Sequence, residues 1–294
     1  MKWDGNRESD NVEDRRGDGG GGGGGFGFGG RSIGLGTIAI AFAASYFFGI
    51  NPMTVINLLS GGGGMPVTSA PTSPAKAPPA NDPATRFVKV VLADTEDVWT
   101  KLFNEQKADY IKPKLVVFSG RTSTSCGQGQ SATGPFYCPA DQKIYIDLSF
   151  YRLMRERFNV SGEFAQAYVI AHEVGHHVQT LIGVAGKVDA ARKRATPVQA
   201  NALSVRMELQ ADCFAGVWAF HANEARGILE SGDVESALNA ATAIGDDALQ
   251  RQSQGQVVPD SFTHGSSAQR VRWFKRGIST GKMSECDTFK ASAL

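Results

Sequence analysis

The chain has 294 residues, with 30 Lys and Arg against 29 Asp and Glu and a net charge of +1. That balance, with no basic stripe interleaved with aromatic residues, excludes a nucleic-acid-binding protein. The length allows one sizeable globular domain with appendages, and 35 glycines mean that part of the chain is not globular.

Residues 1–31 are charged and then glycine-rich, with an unbroken run from Gly19 to Gly25. Such a composition buries too little apolar surface to fold alone, which predicts a disordered tail. From Ser32 to Ala75 no residue is charged. Residues 34–50 read GLGTIAIAFAASYFFGI, about 26 Å at about 1.5 Å per helical residue, and residues 53–56 extend the run past a kink at Pro52. Disordered glycine on one side and a Pro/Ser/Ala/Gly linker at 61–83 on the other leave a buried core helix nothing to pack against. Residues 32–60 are therefore expected to form a single transmembrane helix. A cleaved signal peptide fits less well, because the apolar run follows a long acidic and glycine-rich leader. Arg15, Arg16 and Arg31 precede the span and no Lys or Arg follows it until Lys76. The bias predicts a cytoplasmic amino terminus, with the rest of the chain outside.

The folded domain is expected over 84–294. Phe87, Val88, Val90, Val91, Trp99, Leu102 and Phe103 outline an amphipathic helix, and residues 114–118 read as a strand. Cys126 and Cys138 bracket a Gly/Ser/Thr-rich loop and are too widely spaced for a zinc knuckle, which predicts a disulfide in an oxidising compartment. Cys213 and Cys286 make a second pair by elimination, although four cysteines allow three connectivities. Residues 143–148 alternate apolar and polar as a half-buried strand does, and a free edge there would accept an extended peptide. Helices follow at 163–182 and 197–222, from Asp233 onward, and at 267–277. The fold class is α+β, mostly helical.

The helix at 163–182 carries His172-Glu173-Val174-Gly175-His176. At about 100° per residue His172 and His176 share one helical face, and Glu173 stands beside them. Two imidazoles in that array grip one ion while the adjacent carboxylate is free to take a proton from water. A third ligand is needed downstream, and Glu208 is the best candidate. Asp212, four residues on and on the same face, is placed to accept the outer N–H of a ligand histidine. Gly175 inside the helix suggests close approach by another backbone or a ligand.

His-Glu-x-x-His followed by Glu208-x-x-Ala211-Asp212 is similar to the gluzincin pattern. The finer string His-Glu-Val-Gly-His-His-Val-Gln at 172–179 resembles the bacterial putative neutral zinc metallopeptidase family, often called YpfJ-like. The resemblance extends to residues 2–17, 137–141 and 263–274, nearly the whole chain. It implies a zincin-like domain holding one Zn2+ and hydrolysing peptide bonds in a protein or peptide, with no particular substrate attached. Combined with the charge bias, it places the anchor in a bacterial inner membrane and the domain in the periplasm. His264 looks like a late histidine that approaches the metal or the oxyanion; capping the helix that follows is its other role. Tyr168 and Tyr145 are alternative oxyanion donors. His177 is expected to pack behind the helix and His221 to be a satisfied helix-end residue. The rival function is a non-catalytic zinc-containing scaffold or chaperone-like adaptor. Glu173 argues against it, since a structural zinc has four ligands and needs no base. Oligomeric state is not written in these residues.

Overall fold

The computed structural model describes residues 1–16, 82–130 and 134–294. The predicted transmembrane helix and nearly all of the predicted linker lie outside the described residues, among which no helix is long and apolar enough to cross a membrane.

A mixed four-stranded sheet has the order β1 (Val12–Asp14), β2 (Lys114–Phe118), β6 (Lys143–Asp147), β5 (Phe136–Cys138), in which only β5 runs antiparallel to its neighbour. The two central strands read Lys-Leu-Val-Val-Phe and Lys-Ile-Tyr-Ile-Asp, and all but the first residue of each is buried, as a strand covered on both faces requires. A separate hairpin, β3 (Arg121–Thr124) and β4 (Gly127–Gln130), is tied to the end of β5 by the Cys126–Cys138 disulfide.

The helices are α1 (Pro83–Glu105), α2 (Ser149–Phe158), α3 (Glu163–Leu181), α4 (Val184–Arg192), α5 (Pro197–Arg226), α6 (Asp233–Ala243), α7 (Asp246–Gln254) and α8 (Ser267–Thr280). Thr196 and Ser266 begin α5 and α8 with reciprocal capping boxes to Gln199 and Gln269, satisfying orphan N–H groups at each start. Trp99 meets Phe214 edge-on at 5.6 Å and Phe164 stacks on Trp218 at 5.8 Å, so α1, α3 and α5 share one aromatic core. The Cys213–Cys286 disulfide joins α5 to the chain after α8 across 73 residues.

Three expectations need correction. Residues 1–31 are not uniformly a disordered tail, and the domain does not begin at residue 84, because residues 1–16 are built into the fold. Val12, Glu13 and Asp14 pair in register with Leu115, Val116 and Val117. Arg7, Ser9 and Asn11 all bond to the buried Glu96 of α1, and Trp3 packs edge-on against Phe87. Composition misleads here because a three-residue strand takes its partners from β2 and its neighbours' charges find mates on α1, so little apolar surface of their own is required.

The topology changes with it. Arg16 pairs with Asp14 and, at 2.6 Å, with Asp82, the residue that caps α1. The chain therefore leaves and re-enters the domain at one place, and a single crossing anywhere in 17–81 would separate β1 from β2. An amino terminus on the opposite side of a membrane from the domain is incompatible with this sheet. Finally, β6 is an internal strand, hydrogen-bonded on both sides, and the edges of the sheet are β5 beside it and β1 at the far end.

Candidate metal centre

Helix α3 is buried on nearly every face, and α5 crosses it closely at Gly175, where a Cβ would stand 3.0 Å from the Cα and carbonyl oxygen of Ala211. That missing side chain lets two helices remote in sequence present ligands to one point. The nitrogens of His172 and His176 and a carboxylate oxygen of Glu208 lie within 4.8 Å of one another. Glu208 Oε2 is 3.1 Å from His172 Nε2 and Oε1 is 3.5 Å from His176 Nε2. Glu173 lines the same cavity of about 750 Å³ and is itself buried.

Each imidazole is held from behind at its other nitrogen. His172 Nδ1–H donates to Asp212 Oδ1 at 2.9 Å, and Asp212 also accepts from the Tyr168 hydroxyl and from Arg270 through Nε and Nη2, both at 2.9 Å. Asp212 and Arg270 are almost fully buried. His176 Nδ1–H donates to Gln179 Oε1 at 2.9 Å, while Gln179 Nε2 donates to the carbonyl of Met207 at 2.7 Å and to Gln210 Oε1 at 3.1 Å. Gln210 in turn donates to the carbonyl of Cys286 at 3.0 Å. With both Nδ1 positions engaged, both Nε2 atoms face Glu208.

Electrostatics follow from this packing. Burial opposes charge on the imidazoles, but Asp212 and Glu208 outweigh it at His172, and Glu208 with Glu173 pushes His176 up to about 9. Burial likewise opposes charge on the carboxylates, yet His176 and His172 hold Glu208 well below its usual range, and Arg270 with His172 brings Asp212 down to about 2. Two imidazole nitrogens and a carboxylate oxygen, with tautomers set by outer partners, are a donor set that suits zinc and leaves a further coordination position. The residues fit the ion.

His264 lines the cavity too, with its side chain 52% exposed, between α7 and α8. Tyr168 borders the cavity, but its hydroxyl is committed to Asp212; Tyr145, on β6, donates to Asp141. Neither phenol is placed as an oxyanion donor. Both ring nitrogens of His177 are engaged elsewhere, Nε2 donating to the carbonyl of Ile111 at 2.6 Å and Nδ1 accepting from the Tyr137 hydroxyl at 3.1 Å. His221 donates from Nε2 to the Gly281 carbonyl at 2.8 Å. Cys213 and Cys286 belong to their disulfide and not to the metal cluster.

Sequence reasoning assigned no role to Gln179 or Arg270. Gln179 was findable, since a residue three beyond His176 shares its face. Arg270 lies 58 residues beyond Asp212 and reaches it only because α5 and α8 are in contact at glycines: a Cβ on Gly216 would collide with the Phe274 carbonyl, and one on Gly277 with the Cys213 carbonyl. Two glycines inside helices were the available signal.

A family model described as "Putative neutral zinc metallopeptidase" matches residues 1–289. Among curated proteins, the chain is 52% identical over 294 residues to "Uncharacterized protein YpfJ" of Escherichia coli (strain K12), covering 99% of this chain and 100% of that protein. It is 42% identical over 221 residues to "Uncharacterized protein Rv2575" of Mycobacterium tuberculosis (strain ATCC 25618 / H37Rv), covering 72% of this chain and 74% of that one. No solved structure matches the chain.

Proposed function

The chain belongs to the putative neutral zinc metallopeptidase family, and on that premise we propose that it is a zinc-dependent endopeptidase with His172, His176 and Glu208 as ligands and Glu173 as general base. The observation that carries the reading is the convergence of those three ligand atoms in a cavity that also admits the Glu173 carboxylate. When bound, zinc supplies a Lewis acid that polarises a peptide carbonyl and acidifies water. Glu173 takes the proton of the attacking water and returns it to the departing amine. Asp212 and Gln179 keep the imidazoles turned toward the ion through the cycle.

Substrate is an extended stretch of protein or peptide. The edge strand β5 contacts α3, and its outward side is the place for strand addition, a role the internal β6 cannot take. Phe136, Phe150, Leu153 and Phe158 line the cavity, which favours a bulky apolar residue beside the scissile bond.

The place of action we infer is outside the cytoplasm, in a bacterial envelope, because two disulfides brace the domain. Residues 32–60 hold it at a membrane, with residues 1–16 and 82–294 on the same side of that membrane. The adaptor reading is disfavoured because such a site needs neither a base nor an open coordination position.

The test is cleavage of a mixed peptide library by the full chain loaded with zinc. Glu173→Gln is expected to retain its zinc and lose at least about 1000-fold in kcat, the scale seen when an essential catalytic group is removed. Undiminished cleavage by that variant would reject the mechanism.

A further inference from the structure

Helix α4 forms one wall of the metal cavity. Ala185, Val188, Asp189 and Arg192 recur at i, i+3, i+4 and i+7, a single helical face, and all four line that cavity. Val188 is the buried residue of the stripe, while Asp189 and Arg192 are exposed, so its charged end meets solvent. Beside this wall lie Thr180 of α3 and Ser204 of α5, each one helical turn from a proposed metal ligand, His176 and Glu208. Both hydroxyls are spent on their own helices, Thr180 donating to the His176 carbonyl at 3.2 Å and Ser204 to the Ala200 carbonyl at 3.1 Å. The wall built by β5 and α2 is of another kind, carrying Phe136, Phe150, Leu153 and Phe158.

The two charges on α4 are not equivalent. Asp189 is closed by Lys193 at 2.7 Å. It also feels the field of Arg192, but one carboxylate does not neutralise two cations. Among the described residues the Arg192 guanidinium makes no hydrogen bond or ion pair. The other arginine that lines the cavity, Arg270, is committed to Asp212. A cation in the last turn of α4 also suits the helix dipole. Lys193 and Arg194, next in the chain, supply that charge without lining the cavity, so the helix end does not account for Arg192. A guanidinium offers a planar pair of donors that matches the two oxygens of a carboxylate.

We propose that Arg192 sets substrate specificity, binding a carboxylate of the peptide in a subsite that α4 forms beside the metal centre. This rests on the peptidase reading and extends it by naming the substrate class: an extended peptide with a bulky apolar residue against β5 and α2 and a carboxylate against α4. The carboxylate comes from an Asp or Glu side chain or from the peptide's own carboxyl terminus, since both present the same pair of oxygens. Because Arg192 is exposed, the preference is moderate and weakens as salt is added.

The test reads binding rather than turnover. The zinc-loaded full chain carrying Glu173→Gln is incubated at low ionic strength with two mixed peptide libraries, one with free and one with amidated carboxyl termini. Retained peptides are identified by mass spectrometry, and isothermal titration gives Kd for the tightest of them. Enrichment of Asp or Glu from the amidated library assigns the contact to a side chain; a requirement for a free terminus assigns it to the carboxyl end. Adding Arg192→Glu is expected to weaken the tightest peptide at least about 5-fold at unchanged zinc content, and to turn the retained set toward Lys and Arg. Retention that is indifferent to carboxylates, retention of nothing, or a profile that Arg192→Glu leaves unchanged overturns the proposal. None of these outcomes bears on the peptidase reading, which is decided by cleavage in the parent and its loss in Glu173→Gln. Should Arg192→Glu not fold, Arg192→Gln, which keeps the polar side chain and removes the charge, is judged by loss of the carboxylate preference.

Discussion

The two ligand histidines share a helix and differ in what stands behind them. His172 is backed by ions, Asp212 neutralised by Arg270 and bonded by Tyr168. His176 is backed by neutral amides, Gln179 and Gln210, ending on the carbonyl of Cys286 beside a disulfide. Both arrangements select the same tautomer. An ionised acceptor makes its imidazole a stronger donor to the metal but leaves a buried charge that must never lose its partner, whereas an amide chain orients without that liability.

The comparison is broken most severely at Asp212. Asp212→Ala leaves the Arg270 guanidinium buried without a counter-charge and frees the His172 ring, so stability should drop by about 3 to 5 kcal/mol and zinc affinity by about 10- to 100-fold. Thermal melting and zinc retention under a competing chelator measure the two. A stability loss under about 1 kcal/mol would mean that water replaces the carboxylate and the site is less dry than its burial indicates.

Acid provides a gentler probe. Asp212 is held at about 2 against its ordinary 3.8. A carboxylate with a depressed folded pKa contributes stability that is fully present above the unfolded value and is lost as pH falls through the folded one. About 2 kcal/mol should therefore disappear between about pH 4 and pH 2 in chelator-stripped protein. Denaturant melts of the parent and Asp212→Asn across that window should converge as pH falls; curves that stay parallel would remove the ionic account.

Gln179→Ala should have the smallest effect. It leaves His176 Nδ1 with one hydrogen bond fewer, for about 1 kcal/mol of stability and about 10-fold in zinc affinity, with no pH dependence of its own. A loss as large as that of Asp212→Ala would show that the two supports are equivalent and that charge behind the ring is irrelevant.

Legibility followed sequence distance. His172, Glu173 and His176 stand on one turn, and Glu208 and Asp212 on another, so helical geometry places each set before any tertiary contact exists. The helices α1, α3, α5 and α8 and the strands β2 and β6 announced themselves through apolar periodicity. The short helices α2, α4 and α7 and the hairpin β3–β4 did not, being polar or brief. The amino-terminal strand was missed because three residues carry no period, and what makes them a strand is the exposed edge of β2, about a hundred residues away.

What local spacing established is the chemistry: a pair of imidazoles, a base beside them, and two carboxylates one turn apart that suit a metal and the back of a histidine. What only folding could establish is how those groups are supported and reached. The edge strand β5, the Arg270 guanidinium on Asp212 and the return of residues 1–16 to the sheet all join parts of the chain with no shared periodicity. Such contacts depend on where glycines let helices touch and on which strand edge lies open, and those are properties of packed surfaces rather than of any stretch of residues.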